Sequence, residues 1–500
     1  MGLALVALAA CSNGNKYVNA LPKDAVVVIS ADLKQMSAKA DLNSETGKAA
    51  IGKLSAALKS GLEGSADLVD QIVKDPAESG LDLREKVYFF AEPRMAVAGI
   101  LAKVGHIGKV TRFLDALAER QVCGKVQESE GCRWTTIGHS LVAYTGSSFL
   151  WVTEKGGRDP KEALHHTASL LRQKDKEGYA STGDFERLEA ASADMAGIYS
   201  LGFIPQGPLA PLTLGASAEM RPEDIKWFFT LGFEEGKVVS DVRNITTDKV
   251  MNTLFEKQLQ ATRPVKGSYL DLFPADTPMW LTFNLKGSTF YEMLRQNAAL
   301  RQQFDNAMMP IDFKRIFDAL DGDFVLAITD FDNFSIVTYA DVDNNSFLQT
   351  FEGLKPLLAM TNGQMQLLDR GTDAYEFRMN NMQSAGLPPL SIRFGVKDGH
   401  FYLANHQESV NARPSGATLR DTEWGKQVAG KRGYLMLKWQ ALAPLVSRFG
   451  SEEAATFLKI LNGMDYLTFQ SSDGKDGRWE CLMKDRKTNV LEQLVREMAK

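Results

Sequence analysis

Apolar and polar positions along this chain follow two periods that alternate in a regular order. Residues spaced two apart, such as Val238, Ser240, Val242 and Asn244, or Trp479, Cys481 and Met483, fall on one face of an extended segment, with the residues between them on the other. That period predicts antiparallel strands with one face on a core and one face in water. Asp398-Gly399, flanked by Ile392–Val396 and Phe401-Tyr402, predicts a tight hairpin, because both turn positions need positive φ. Between residues 47 and 75 the apolar positions Ile51, Leu54, Leu58 and Leu62 recur at helical spacing and predict an amphipathic helix. Packing on its own sheet is the simpler expectation for that helix; a partner-binding face is the alternative.

The same order of elements is expected twice. Tyr17, Pro22 and Asp24 recur as Tyr269, Pro274 and Asp276 at one offset (269 − 17 = 252), and Asp32-Leu33-Lys34 recurs as Asn284-Leu285-Lys286. Leu83 and Val87–Phe90 correspond to Leu320 and Phe324–Ile328 at an offset of 237 (320 − 83). Asp184-Phe185 and Glu423-Trp424 follow, then hairpins around Gly236 and Gly477, then closing helices over 247–258 and 487–498. The expected fold class is α+β, with two homologous lobes from an internal duplication, each a mostly antiparallel sheet with packed helices. The expected boundaries are 1–16 for a leader and tether, 17–258 for the first lobe and 269–498 for the second.

The first residues change the picture from fold to address. Residues 3–10 are apolar, and Leu8-Ala9-Ala10-Cys11 is followed at once by the polar Ser12-Asn13. Small residues before a cysteine fit the lipobox of a bacterial lipoprotein, in which Cys11 carries the lipid anchor. A buried N-terminal strand with a chance cysteine is the alternative. Cys123 and Cys132 fall opposite each other if Gln127-Glu128 is a hairpin turn, which predicts a disulfide between them; a metal pair is the alternative. Cys481 is expected as a buried thiol.

Composition mainly excludes. The 500 residues carry 57 Lys+Arg against 62 Asp+Glu, a net charge of −5 without a basic block, so no nucleic-acid partner is expected. The length exceeds what one core supports. Asp341, Asp343, Asn345 and Glu352 stand at the oxygen spacing of a calcium loop, but Ser346 replaces the glycine such a loop needs. A strand-to-helix turn with an Asx cap explains them with less, and no metal is expected. His165 and His166 are adjacent on a predicted helix and diverge too far to chelate together. Gly105-His-Ile-Gly108-Lys109 lacks the rest of a phosphate loop, and Gly215-Ala-Ser217-Ala-Glu219 lacks the final glycine of a nucleophile elbow. The apolar, proline-bearing loops Pro205–Leu214 and Met382–Leu390 are expected either tucked under the fold or open to a partner.

With Leu8–Cys11, Asn19-Ala-Leu-Pro22-Lys-Asp24 and Ser30-Ala-Asp-Leu-Lys34, the chain resembles the uncharacterised outer-membrane lipoproteins of Bacteroidetes, a domain-of-unknown-function family. The resemblance carries no assigned activity, so no catalytic residue and no cofactor follow from it. Ser12-Asn-Gly-Asn-Lys lacks the acidic run of a surface-export signal, which places the expected anchor on the periplasmic face of the outer membrane. The expectation is a lipid-anchored, non-enzymatic envelope module, partnered by the membrane through Cys11 and by an envelope protein or glycan. Two alternatives stand beside it: an envelope hydrolase with a scattered site, and a carrier of hydrophobic ligands in an apolar cavity.

Overall fold

The computed structural model describes all residues except 1–15, 62–70, 73–74, 94–96, 155–159, 202–223, 248, 297, 306–310, 381–388, 407–413, 448–457, 459–460 and 500. Cys11 and the loops 205–214, 215–219 and most of 382–390 lie outside the described residues. The chain forms two compact units. The first comprises residues 1–203, 226–240 and 487–500, the second residues 204–225 and 241–486.

In the first unit the strands are β1 (Val27–Ala31), β2 (Val87–Glu92), β3 (Val97–Lys103), β4 (Gln127–Ser129), β5 (Cys132–Ile137), β6 (Ser140–Tyr144), β7 (Ser148–Glu154), β8 (Met195–Ser200) and β9 (Lys226–Glu234). They pair antiparallel in the order 9-8-1-2-3-7-6-5-4. Strand β10 (Lys237–Asn244) is divided between the units after Ser240. The inner face of the first sheet closes over Val28, Tyr88, Phe90, Leu101, Leu150 and Val152, with Tyr17 and Leu21 packed on them. Helices α1 (Leu33–Lys39), α2 (Glu45–Gly61), α3 (Ile107–Glu119), α4 (Pro160–Leu171) and α5 (Gly183–Glu189) complete the unit. Helix α3 buries Val110, Leu114 and Leu117 against Val142 and Tyr144, whereas α4 buries Leu164 and Ala168 against Leu141 and Ala143. Successive residues of β6 thus serve opposite faces, as the strand period requires.

The second unit holds β11 (Thr262–Arg263), β12 (Met279–Lys286), β13 (Leu320–Asp330), β14 (Ser335–Val342), β15 (Met365–Gly371), β16 (Ala374–Met379), β17 (Leu390–Lys397), β18 (His400–Ala404), β19 (Gly433–Lys438), β20 (Met464–Ser471) and β21 (Asp476–Met483). Its order is 21-20-19-12-13-14-18-17-16-15, again antiparallel throughout. The core gathers Tyr269, Phe273, Trp280, Val325, Trp424 and Tyr434. Four backbone hydrogen bonds fix the segments before β1 and β12. Tyr179 N–H donates to Leu21 O at 3.0 Å, and Leu419 N–H donates to Phe273 O at 3.0 Å. Ala25 N–H donates to Pro22 O, and Thr277 N–H to Pro274 O.

Several expectations change. Cys123 and Cys132 form no disulfide; both are free. The hairpin turns at Glu130-Gly131, where φ is +55° and +76°, not at Gln127-Glu128. Cys132 therefore lies opposite Ser129, while Cys123 precedes β4 and packs beneath α3. A two-residue turn with both φ values positive is the hairpin geometry that matches strand twist, and it overrides the symmetric pairing. Gly477 lies inside β21, and the turn before that strand carries Gly474 at φ +75°. Among the described side chains of α2, Gly47, Ala50 and Ser55 are the buried positions, while Leu54 is exposed; Leu58 and Leu62 lie outside the described side chains. The closing helices also change places. Helix Lys249–Ala261 packs on Gly287–Leu294 of the second unit, and the C-terminal helix Val490–Ala499 packs on α2 of the first.

Candidate functional site

The first unit contains a cavity of about 660 Å³ between α1, the turn Pro76–Arg84 and the start of α3. The backbone there is set by Gly80, whose φ of +82° and contact with α3 leave no room for a side chain: a Cβ would sit 2.5 Å from Val110 N. Gly80 O accepts from both Gly105 N–H and His106 N–H at 2.9 Å, which holds the turn against the helix start. His106 then caps α3, its Nδ1 accepting from Lys109 N–H at 3.2 Å. The half-buried Leu33, Leu81 and Leu83 supply apolar walls.

Charge is gathered at the same opening. Lys34, Arg84 and Lys109 are all lining residues, against Asp82 as the lining carboxylate. Arg84 holds Asp82 through Nε at 2.8 Å and Nη2 at 3.2 Å, and Lys103 stands 3.4 Å away. The Arg84 guanidinium, with Lys103 behind it, draws the Asp82 carboxyl down from its ordinary 3.8 to about 2. Lys109 Nζ bonds Glu78 at 2.7 Å.

A second feature of the first unit is apolar. Ile29, Phe89, Ile100 and Trp151 face one another across β1, β2, β3 and β7 on the side away from the core of Val28 and Tyr88. Phe89 and Trp151 are each 39% exposed. The row continues through Gly197 to Phe229, whose ring lies over the glycine: a Cβ there would meet it at 2.4 Å. This second face was expected to be solvated and polar; it is apolar and only partly covered.

In the second unit Tyr269, Asp341 and His400 meet. Tyr269 Oη donates to Asp341 Oδ1 at 2.6 Å and lies 3.0 Å from His400 Nδ1. Asp341 Oδ2 accepts from Asp323 N–H at 3.0 Å. Asp323 in turn accepts from Lys266 N–H, Ser268 N–H and Oγ, and Asn284 Nδ2. Burial, then the hydrogen bond to Asp341, pushes the Tyr269 hydroxyl far above its usual range, so it stays protonated and acts as a donor. The chain of bonds ties the segment before β12 to β13 and β14, and each carboxylate in it is engaged.

The residues at calcium-loop spacing, Asp341, Asn345 and Glu352, turn to separate partners. Asp341 bonds Tyr269, Asn345 Nδ2 donates to Asp373 at 2.7 Å, and Glu352 pairs with Lys355 at 2.6 Å. Among the described residues no three His, Cys, Asp or Glu side chains are grouped to hold a metal ion. His165 and His166 diverge as expected: His166 Nε2 lies 3.0 Å from the buried Glu92, and His165 faces Glu130. The cavity is not legible in the sequence, because its walls come from three separated segments. The local signal nearest to it is Gly105–Lys109, which lacks the rest of a phosphate loop.

No helix among the described residues is long and apolar enough to cross a membrane. No curated protein matches the chain. Among solved structures it is similar to crystal forms I and III of TP0453, each at 12% identity and a TM-score of 0.29 over 50% of this chain and 88% of that one. Crystal form IV of TP0453 gives 11% identity and a TM-score of 0.27 over 46% and 81%. At these values the likeness bears on neither fold nor function. The family model described as "Domain of unknown function (DUF4836)" matches residues 17–491, nearly the whole chain, and the chain therefore belongs to that family.

Proposed function

We propose that this chain is a lipid-anchored, non-enzymatic binding protein of the cell envelope, tethered through Cys11 to the periplasmic face of the outer membrane, with the cavity of the first unit as its binding site. The observation that carries the binding role is that cavity, whose volume lies in the range of about 300–1,000 Å³ usual for small-molecule sites. Its apolar walls and charged opening suit recognition. Asp82 and Glu78 are held in ion pairs and His106 in a helix cap, which favours binding over proton transfer. The tether is supported by Leu8-Ala9-Ala10-Cys11 and the polar stretch after it.

The chain is further read as a duplication of one α+β lobe, over 17–258 and 269–498. The recurring strand order 9-8-1-2-3-7-6-5-4 and 20-19-12-13-14-18-17-16-15 supports it, as do the paired hydrogen bonds at Leu21 and Phe273. A second reading, a carrier of hydrophobic ligands, is favoured by the open row from Ile29 to Trp151.

Two measurements test the main reading. Palmitate label is expected on the protein expressed with its full leader and absent from Cys11→Ala; label retained in that variant refutes the tether. Mild cross-linking in the native envelope, followed by purification, is expected to recover a ligand or partner that Ala77→Trp excludes. Ala77 is exposed at the cavity wall, so the indole fills space without disturbing a core. Equal recovery by the variant refutes the cavity as the site.

A further inference from the structure

Resting on the cavity as the binding site, we infer that its ligand is a single-chain anionic amphiphile, with an apolar chain against Leu33, Leu81 and Leu83 and a carboxylate or phosphate head at Lys34. Three observations converge. The walls are leucines at about 660 Å³, a volume that rewards an apolar body more than a compact polar ion. The lining cations Lys34, Arg84 and Lys109 outnumber the lining carboxylate Asp82, so the opening favours negative charge. The three cations are not equivalent. Arg84 is committed to Asp82, and Lys109 to Glu78. Lys34 is exposed on α1 and has no ion-pair partner among the described residues, so it meets an anion without first surrendering a carboxylate.

That asymmetry also argues against a multivalent anion such as free phosphate as the main ligand. Such an ion needs several uncommitted donors, and here the chain must supply most of the affinity. A cationic amphiphile of the same length would meet Lys34 and the Arg84 edge as like charges.

The test is calorimetric titration of the full chain with laurate, dodecyl phosphate and dodecyltrimethylammonium, each below its aggregation threshold. Laurate or dodecyl phosphate is expected to bind with one site per chain, with the cationic analogue at least tenfold weaker. Lys34→Glu is expected to weaken the better anion at least tenfold, and Ala77→Trp to abolish binding, with circular dichroism of both variants unchanged. The relative strength of the two anions identifies the head. If all three amphiphiles bind equally, Ala77→Trp blocks them and Lys34→Glu has no effect, the anionic assignment falls while the cavity reading stands. If Ala77→Trp leaves binding intact, the cavity itself is not the site. If no amphiphile binds but Ala77→Trp still loses the envelope ligand, the amphiphile class is wrong and the cavity reading stands.

Discussion

At the residue scale, one buried carboxylate is held by arginines. Glu376, 2% exposed, accepts from Arg378 Nη2 at 2.7 Å, Arg370 Nε at 2.6 Å and Ser391 Oγ at 3.0 Å. Burial alone raises a carboxyl pKa; here the bonds from Arg378, Ser391 and Arg370 outweigh it and bring Glu376 down from 4.5 to about 2. A folded-state value below the unfolded one means stabilisation that is complete above the unfolded pKa and lost as pH falls from there toward 2. Asp82 has the same sign over 3.8 to about 2. Denaturant midpoints are therefore expected to hold from pH 7 to about 5 and to drop between pH 4 and 2. Glu376→Gln, which leaves partly exposed arginines uncompensated, is expected to cost about 2 kcal/mol at pH 7 and much less at pH 2. An equal cost at both pH values would mean that packing, not charge, sets it. The cysteines lead to a second expectation at this scale. Burial raises the thiol pKa of both Cys123 and Cys132, whose Sγ atoms face Leu114 O and Ser129 O. Native protein should alkylate at these two positions far more slowly than denatured protein, and a non-reduced digest should contain no 123–132 cross-link.

At the scale of elements, turns and close approaches set the register. The hairpin of β4 and β5 closes through Glu130 and Gly131, both at positive φ, and that choice separates Cys132 from Cys123. Gly131→Val is expected to cost about 1 kcal/mol, because a β-branched residue resists that backbone. In β8, Gly197 gives way to the ring of Phe229, so Gly197→Ala is expected to destabilise by about 1–3 kcal/mol. Phe229→Leu should recover part of the loss in the double variant. Additive losses would show that the ring is not what the methyl meets. The hairpins at Asp398-Gly399 and around Gly236 were readable in the sequence, because a two-residue turn writes its φ requirement into its own composition. The β4–β5 turn was misread although Gly131 stood in plain view, since Cys123 and Cys132 suggested a competing symmetry.

At the scale of the whole molecule, chain order and compact units do not coincide. The C-terminal helix belongs to the first unit, where Asn489 Nδ2 donates to Phe233 O at 2.9 Å and Gly236 N–H to Thr488 O at 3.0 Å. Removing residues 487–500 is expected to speed hydrogen exchange in α2 and β9 while leaving β12, β13 and β19 protected. The opposite pattern would assign the helix to the second unit. From the sequence alone came the period that specifies antiparallel strands, the hairpin at Asp398-Gly399 and the polar break after Cys11, because these are written in neighbouring residues. Which face of the first unit's sheet stayed apolar and only partly covered, which helix closed which unit, and where a cavity formed were decided only by tertiary structure. Leu33, Leu81 and Lys109 lie far apart in the chain and line one cavity only where Gly80 lets the turn at Pro76–Arg84 close against α3. A local pattern specifies what a segment prefers; the packing of distant segments decides what space is left between them.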